Sequence, residues 1–228
     1  MHIMIQFKSG LRNKSEMNTN PLAKTILCYG DSNTWGRMPD RTGRFDAGTR
    51  WPGKLQKLLG DEYYIIEEGL GGRTTDLDDP DHVKNGLTYL IPCLKSHEPI
   101  DIVILMLGTN DFKSRFKRNA DDVANALSRL LRAIRDVTDA KIIILCPAPI
   151  NTHAPRFMEF YADHFELDAD EKSEALYQAL ELVARKENSL YINVGDIATY
   201  GDDGLHLTAE SHTKLANTIN NLFNSENF

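Results

Sequence analysis

Five short stretches of the chain are apolar with little interruption: Thr25–Tyr29, Tyr63–Glu68, Asp101–Leu107, Lys141–Cys146 and Leu190–Asn193. Their wealth of Ile, Val, Leu and Tyr marks them as β-strands. The strongest runs, Ile102–Leu107 and Ile142–Leu145, show no polar alternation, as expected of central parallel strands covered on both faces. Between the strands the period changes to that of a helix. In Ala120–Val137 the residues Val123, Ala126, Leu127, Leu130, Leu131 and Ile134 form one stripe. Asp121 and Asp122 open this segment and Arg132 and Arg135 lie near its end, in keeping with a helix dipole. Trp51–Leu59 carries Pro52 in its first turn and is followed by Gly60, a start and a stop signal. Ala169–Arg185 and Thr208–Phe223 read as two further helices, the second with Thr208 as its candidate cap.

Strands that alternate with helices predict right-handed crossovers and a three-layer α/β/α sandwich around a five-stranded parallel sheet, a flavodoxin-like arrangement. A length of 228 residues suits one domain, assigned to residues 24–228. Residues 1–23 precede every periodic element and read as an N-terminal arm, disordered or interface-forming, with Met17 as an alternative start. Met1–Asn20 holds charged residues but no apolar core of a signal peptide, and no run of about 18 apolar residues exists to cross a bilayer. A net charge of −7 argues against nucleic acid or an anionic membrane as the partner. The three cysteines are odd in number and none are spaced as C-x-x-C, which points to a reducing, cytoplasmic setting without a disulfide framework. No cysteine pair has the spacing of a zinc or redox site and the seven histidines include no H-E-x-x-H pair, and neither a metal nor an organic cofactor is expected.

Four polar signatures fall at the strand ends. Gly30-Asp31-Ser32-Asn33 follows the first strand, Gly69-Leu70-Gly71-Gly72-Arg73 the second, Gly108-Thr109-Asn110-Asp111 the third, and Asp203-Gly204-Leu205-His206 precedes the final helix. The carboxyl edge of an open α/β sheet is where such folds bind and react. A serine there is inert at neutral pH until a base removes its proton. Asp203 and His206, three residues apart, are placed as neighbours on one turn. The carboxylate can fix the imidazole tautomer and leave Nε2 free for the Ser32 proton. Glycine-rich backbone at Gly71-Gly72 and the side-chain amide of Asn110 are candidate donors to an oxyanion. Taken singly, each signature also fits a cap or a turn: Ser32 and Asn110-Asp111 as helix caps, Gly71-Gly72 and Asp203-Gly204 as turns. Their order and their shared sheet edge favour the catalytic reading.

These four segments resemble blocks I, II, III and V of the SGNH hydrolases, the GDSL-like lipase/esterase family, in order from Leu27 to about Leu207. The resemblance implies Ser32 as nucleophile, Asp203 and His206 as its acid and base, and an oxyanion hole made by the Ser32 N–H, Gly72 and Asn110. Asn33 stands where the eponymous string has leucine, and Gly69 where many members carry asparagine. The wider strings Thr34-Trp35-Gly36, Arg73-Thr74-Thr75 and Met106-Leu107-Gly108-Thr109-Asn110-Asp111 are similar to the arylesterase/acyltransferase branch. That branch implies a small-molecule ester substrate, some acyl transfer and a homo-oligomer.

The substrate-binding candidates are Asp31, Trp35, Leu70, Phe112, Pro149 and Ile150, with Trp35 as the expected wall of the acyl pocket. Phe157, Phe160 and Tyr161 are either a pocket wall or subunit contact, or a locally packed loop. His212 is expected at the surface or an interface, and His153 and His164 either line the entrance or are solvated. Asp202 is a rival to Asp203. The expected function is a serine esterase of small carboxylic esters. Its alternatives are a carbohydrate O-acetylesterase and a non-catalytic flavodoxin-like binding module.

Overall fold

A computed structural model describes residues 18–80 and 82–226. The chain builds β1 (Lys24–Gly30), α1 (Ser32–Trp35), α2 (Trp51–Leu59), β2 (Tyr63–Gly69), α3 (Gly86–Ser96), β3 (Ile102–Met106) and α4 (Ala120–Arg135). It continues through β4 (Lys141–Cys146), α5 (Phe157–Tyr161), α6 (Ala169–Glu174), α7 (Leu176–Lys186), β5 (Leu190–Asn193) and α8 (Ala209–Ser225). The five strands pair in parallel in the order β2-β1-β3-β4-β5. From β1 the chain first steps to β2 on one side and then to β3 on the other. The loops after β1 and β3 therefore flank the crevice where the winding reverses.

Strand alternation sorts the core into two layers. Leu27, Tyr29, Val103, Leu105, Ile142 and Ile144 pack with α3, α4 and α7, while Ile26, Cys28, Ile102, Ile104, Ile143 and Leu145 pack with α2 and α8. The α/β/α sandwich with a five-stranded parallel sheet is thus the observed architecture. Cys28, Cys93 and Cys146 are all buried and unpaired. Among the described residues no helix is long and apolar enough to cross a membrane.

The differences from the sequence reading have local causes. α3 escapes the periodic pattern because it opens on Gly86 and contains Pro92, both poor in helix propensity, and it is anchored instead by Asn85, whose side chain accepts from the Thr88 N–H. The helix expected over Ala169–Arg185 is two helices, interrupted at Ala175, whose N–H is shared between the carbonyls of Glu171 and Ser173. α4 stops at Arg135 and its start is fixed by a reciprocal capping box between Asn119 and Asp122. The Thr208 cap is present, its hydroxyl accepting from the Ser211 N–H. Most of the expected N-terminal arm lies outside the described residues. Of the remainder, Asn18 and Asn20 bond the carbonyls of Asp61 and Tyr63 ahead of and at the start of β2.

Leu130 on α4 is fully buried while Leu182 on α7 is 66% exposed. Urea denaturation is expected to show a loss of about 2–5 kcal/mol for Leu130→Ala and within about 0.5 kcal/mol for Leu182→Ala.

Candidate active site

Ser32 is the first residue of α1, a four-residue helix that turns directly off β1. The turn is possible because residue 30 is glycine. A Cβ there would lie 2.1 Å from Thr34 Oγ1 and 2.8 Å from the Met106 carbonyl oxygen. Asp31 caps the helix, accepting from the Asn33 N–H at 2.9 Å. Ser32 Oγ lies 2.9 Å from His206 Nε2, and His206 Nδ1 lies 2.6 Å from Asp203 Oδ2. Serine, imidazole and carboxylate are all buried. Asp203 Oδ1 accepts the backbone N–H groups of Leu205 and His206 at 3.0 Å each, and Oδ2 also accepts the Tyr161 hydroxyl at 3.1 Å. Burial by itself would raise the Asp203 carboxyl, but the hydrogen bond and charge of His206 and the backbone donors hold it below its ordinary value. Asp202 is exposed, and among the described residues no hydrogen bond or ion pair joins its side chain to His206; its carbonyl accepts from the Arg156 N–H. Asp203 is the acid the geometry selects.

His206 is brought to the serine by Asn33. Its Nδ2 donates to the Leu205 carbonyl at 3.1 Å and its Oδ1 accepts the Leu207 N–H at 2.9 Å, so one buried amide grips both neighbours of the histidine. Nothing in the sequence pattern announces this role, nor the contact of Tyr161, whose hydroxyl lies 3.3 Å from His206 Nδ1 as well. Tyr161 comes from α5, so the aromatic segment after β4 supports the acid rather than merely filling a loop.

The candidate oxyanion donors stand in two different states. Gly72 has φ +81°, a conformation that glycine adopts freely, and among the described residues no protein acceptor meets the N–H of Gly72 or of Ser32. The Asn110 amide, in contrast, is held by Asp31 Oδ2 at 3.3 Å and the Arg73 carbonyl at 3.2 Å. Burial raises the Asp31 carboxyl to about 6, against the lowering influence of the Asn33 N–H and nearby cations. Arg73 is buried over the Tyr29 ring and bonds the carbonyls of Gly30 and Glu68, tying the ends of β1 and β2. Asp111, also raised to about 6 by burial, accepts the Thr75 N–H and hydroxyl and the Arg118 guanidinium. The loops after β2 and β3 are thereby joined.

Ser32 and His206 open into a cavity of about 280 Å³ whose wall includes Gly72, Asn110, Tyr161 and Phe165. His164 lies on that wall, whereas His153 is exposed and faces Asp170. The expected wall residue Trp35 is not part of it. Its ring instead meets the guanidinium groups of Arg37 and Arg44, each 5.1 Å from the ring centroid. Leu70, Pro149 and Asp31 also lie outside the lining, and Phe112 and Ile150 are drawn into the apolar core beneath it. His212 is not at the surface. It is fully buried, its Nδ1 accepts the Trp51 N–H at 3.2 Å at the start of α2, and burial lowers its pKa to about 3. It caps a helix as a neutral ring.

Glu68, Cys93 and His97 are the one group of described residues whose ligand atoms gather within 4.8 Å as a metal would need. Burial pushes the Cys93 thiol up to about 12, and His97 Nε2 already meets Glu68 Oε1 at 3.2 Å, so the group is satisfied as side-chain contacts.

The sequence profile of the GDSL-like Lipase/Acylhydrolase family matches residues 28–214. An aryl esterase from M. smegmatis is similar at 34% identity, covering 89% of this chain and 99% of that one with a TM-score of 0.81. A carbohydrate acetylesterase from Sinorhizobium meliloti is similar at 36% identity over 89% of this chain and 99% of its own, with a TM-score of 0.79. No curated protein matches the chain in sequence.

An acid whose pKa is raised on folding costs stability once pH passes its unfolded value, and the full cost is present above the folded one. Asp31→Asn is therefore expected to gain stability relative to wild type as pH rises from about 4 to about 7, by roughly 3 kcal/mol. Denaturant midpoints at the two pH values measure this, and an unchanged difference contradicts it.

Proposed function

This chain belongs to the GDSL-like lipase/acylhydrolase family and is a carboxylic ester hydrolase, and from that premise we propose that it is a serine esterase acting on small esters through an acyl-enzyme. The observation that carries the mechanism is the continuous chain Ser32 Oγ, His206 Nε2, His206 Nδ1 and Asp203 Oδ2 at 2.9 and 2.6 Å. His206 takes the Ser32 proton as Oγ attacks the ester carbonyl carbon. The negative charge that develops on the carbonyl oxygen meets the N–H groups of Ser32 and Gly72 and the Asn110 amide. The tetrahedral intermediate then breaks its bond to the alkoxy oxygen, which leaves as the alcohol with the proton from His206. Water, deprotonated by the same imidazole, releases the acid and restores Ser32. An alcohol in place of water gives acyl transfer. Asp203 holds the tautomer and balances the imidazolium without taking its proton.

A cavity of about 280 Å³ lies at the small end of ligand sites, which favours short acyl groups. The similarity to a carbohydrate acetylesterase supports a second reading, in which the same residues cleave O-acetyl groups from sugars. Turnover of phenyl acetate compared with acetylated monosaccharides separates the two.

Ser32→Ala is expected to lower kcat/KM for phenyl acetate by about 10⁴-fold or more and to abolish labelling by a fluorophosphonate. Wild-type rates in that variant would sink the proposal. Across acyl chains from acetate to octanoate, kcat/KM is expected to fall by about tenfold or more, since a longer chain has to leave a cavity of this size and face solvent.

A further inference from the structure

The chain is acidic as a whole, with a formal net charge of −7, yet the cavity at Ser32 is lined by Arg37, Arg41, Lys84, Lys113 and Arg115 and by no carboxylate. Two of these cations have a counter-ion. The fully buried Asp79 carboxylate pairs with Lys113 Nζ at 2.5 Å and with the Arg115 guanidinium. Lys84 forms no salt bridge among the described residues, and its Nζ lies 3.3 Å from the point where a Cβ on Gly72 would stand, beside an oxyanion donor.

The two remaining arginines are the telling ones. Elsewhere in the described residues every guanidinium is engaged. Arg44 and Arg50 meet Glu67, Arg118 and Arg129 meet Asp76, Arg132 meets Glu187, Arg156 meets Glu159 and Arg185 meets Glu181. Arg73 and Arg135 bond backbone carbonyls. Among the described residues, Arg37 and Arg41 are the arginines that make neither a salt bridge nor a hydrogen bond through their side chains, and both line the cavity that holds the serine. Their ring neighbours are arranged to present them. Arg37 lies over the Trp35 ring at 5.1 Å, and Arg41 lies over Phe160 at 5.1 Å and Tyr161 at 5.4 Å. Stacking uses the face of a guanidinium and leaves its forked N–H edge for a planar or tetrahedral anion.

We infer that the substrate is an ester carrying a second, anionic group, a carboxylate or its like, which Arg37 and Arg41 receive while the ester carbonyl lies at Ser32. The inference rests on the esterase reading of this cavity and narrows its substrate class. The acidic remainder of the surface repels such a substrate and the cationic mouth attracts it, so the field also steers its approach.

The test compares kcat/KM of the full chain on two matched pairs. In p-acetoxybenzoate and p-acetoxybenzamide the charge is on the alcohol side; in monoethyl succinate and ethyl succinamate it is on the acyl side. One pair is expected to favour its charged member about tenfold or more at about 20 mM salt and to lose most of that preference near 0.5 M. The pair that responds tells which side carries the anion. Arg37→Gln and Arg41→Gln are each expected to lower the ratio about threefold or more. Ratios near one for both pairs, or ratios that neither variant moves, overturn the inference. Binding is read apart from turnover by titrating Ser32→Ala with the same four compounds. If wild type hydrolyses none of the four and resists a fluorophosphonate, the esterase reading fails alone. In that case tighter binding of a charged member upholds the anion site, and equal binding overturns it.

Discussion

The site depends on the two hydrogen bonds of the Asn33 side chain. Ser32 and His206 are 174 residues apart and belong to segments that share no strand. A loop left to itself would not hold an imidazole nitrogen at hydrogen-bond distance from a hydroxyl. Asn33 removes that freedom by engaging the Leu205 carbonyl and the Leu207 N–H, one on each side of His206, from the position next to the serine. A displacement of α1 thus carries the histidine with it, and the Ser32–His206 distance becomes a property of one amide. Asp203 and Tyr161 then orient the ring from behind.

Buried carboxylates extend the same logic to the rest of the sheet edge. Asp111 joins the loop after β2 to that after β3 through Thr75 and Arg118, and Asp79 reaches Lys113 and Arg115 from the β2 side. Arg73 ties the ends of β1 and β2 through backbone carbonyls. These groups lie in low-dielectric surroundings, where a satisfied polar network rigidifies its neighbours and an unsatisfied one is costly. The loops at the carboxyl edge of the sheet are fixed by the interior, not by the solvent-facing surface.

Much of this was legible in the chain and some was not, for physical reasons. β1, β3 and β4 announce themselves because burial on both faces demands unbroken apolar runs, and α4 because one face of it is core. Ser32, Asp203 and His206 stand out because few residue types can do the chemistry proposed for them and their order along the strands is readable. α3 stayed hidden behind Gly86 and Pro92, whose propensities contradict the helix that packing imposes. Asn33 read only as a departure from the leucine of the eponymous string, and Tyr161 as one aromatic among several. Both act through contacts between segments far apart in sequence, which no local period encodes. Trp35 and His212 misled for a related reason. Proximity to Ser32 in sequence suggested a pocket wall, but the indole meets two arginines instead, and polarity suggested a surface for a histidine that serves as a buried acceptor for the Trp51 N–H.

The hold that Asp31 and the Arg73 carbonyl keep on Asn110 has a consequence for timing. A neutral ester oxygen is a poor rival to a carboxylate and a peptide carbonyl for the two amide hydrogens, whereas a full negative charge is a strong one. On the esterase reading, the donor is withheld from the resting substrate and surrendered only as the carbonyl oxygen becomes an alkoxide. The two backbone N–H groups greet substrate and transition state alike, but the asparagine discriminates between them, and an interaction that grows only with the charge speeds the reaction without tightening the grip on the substrate.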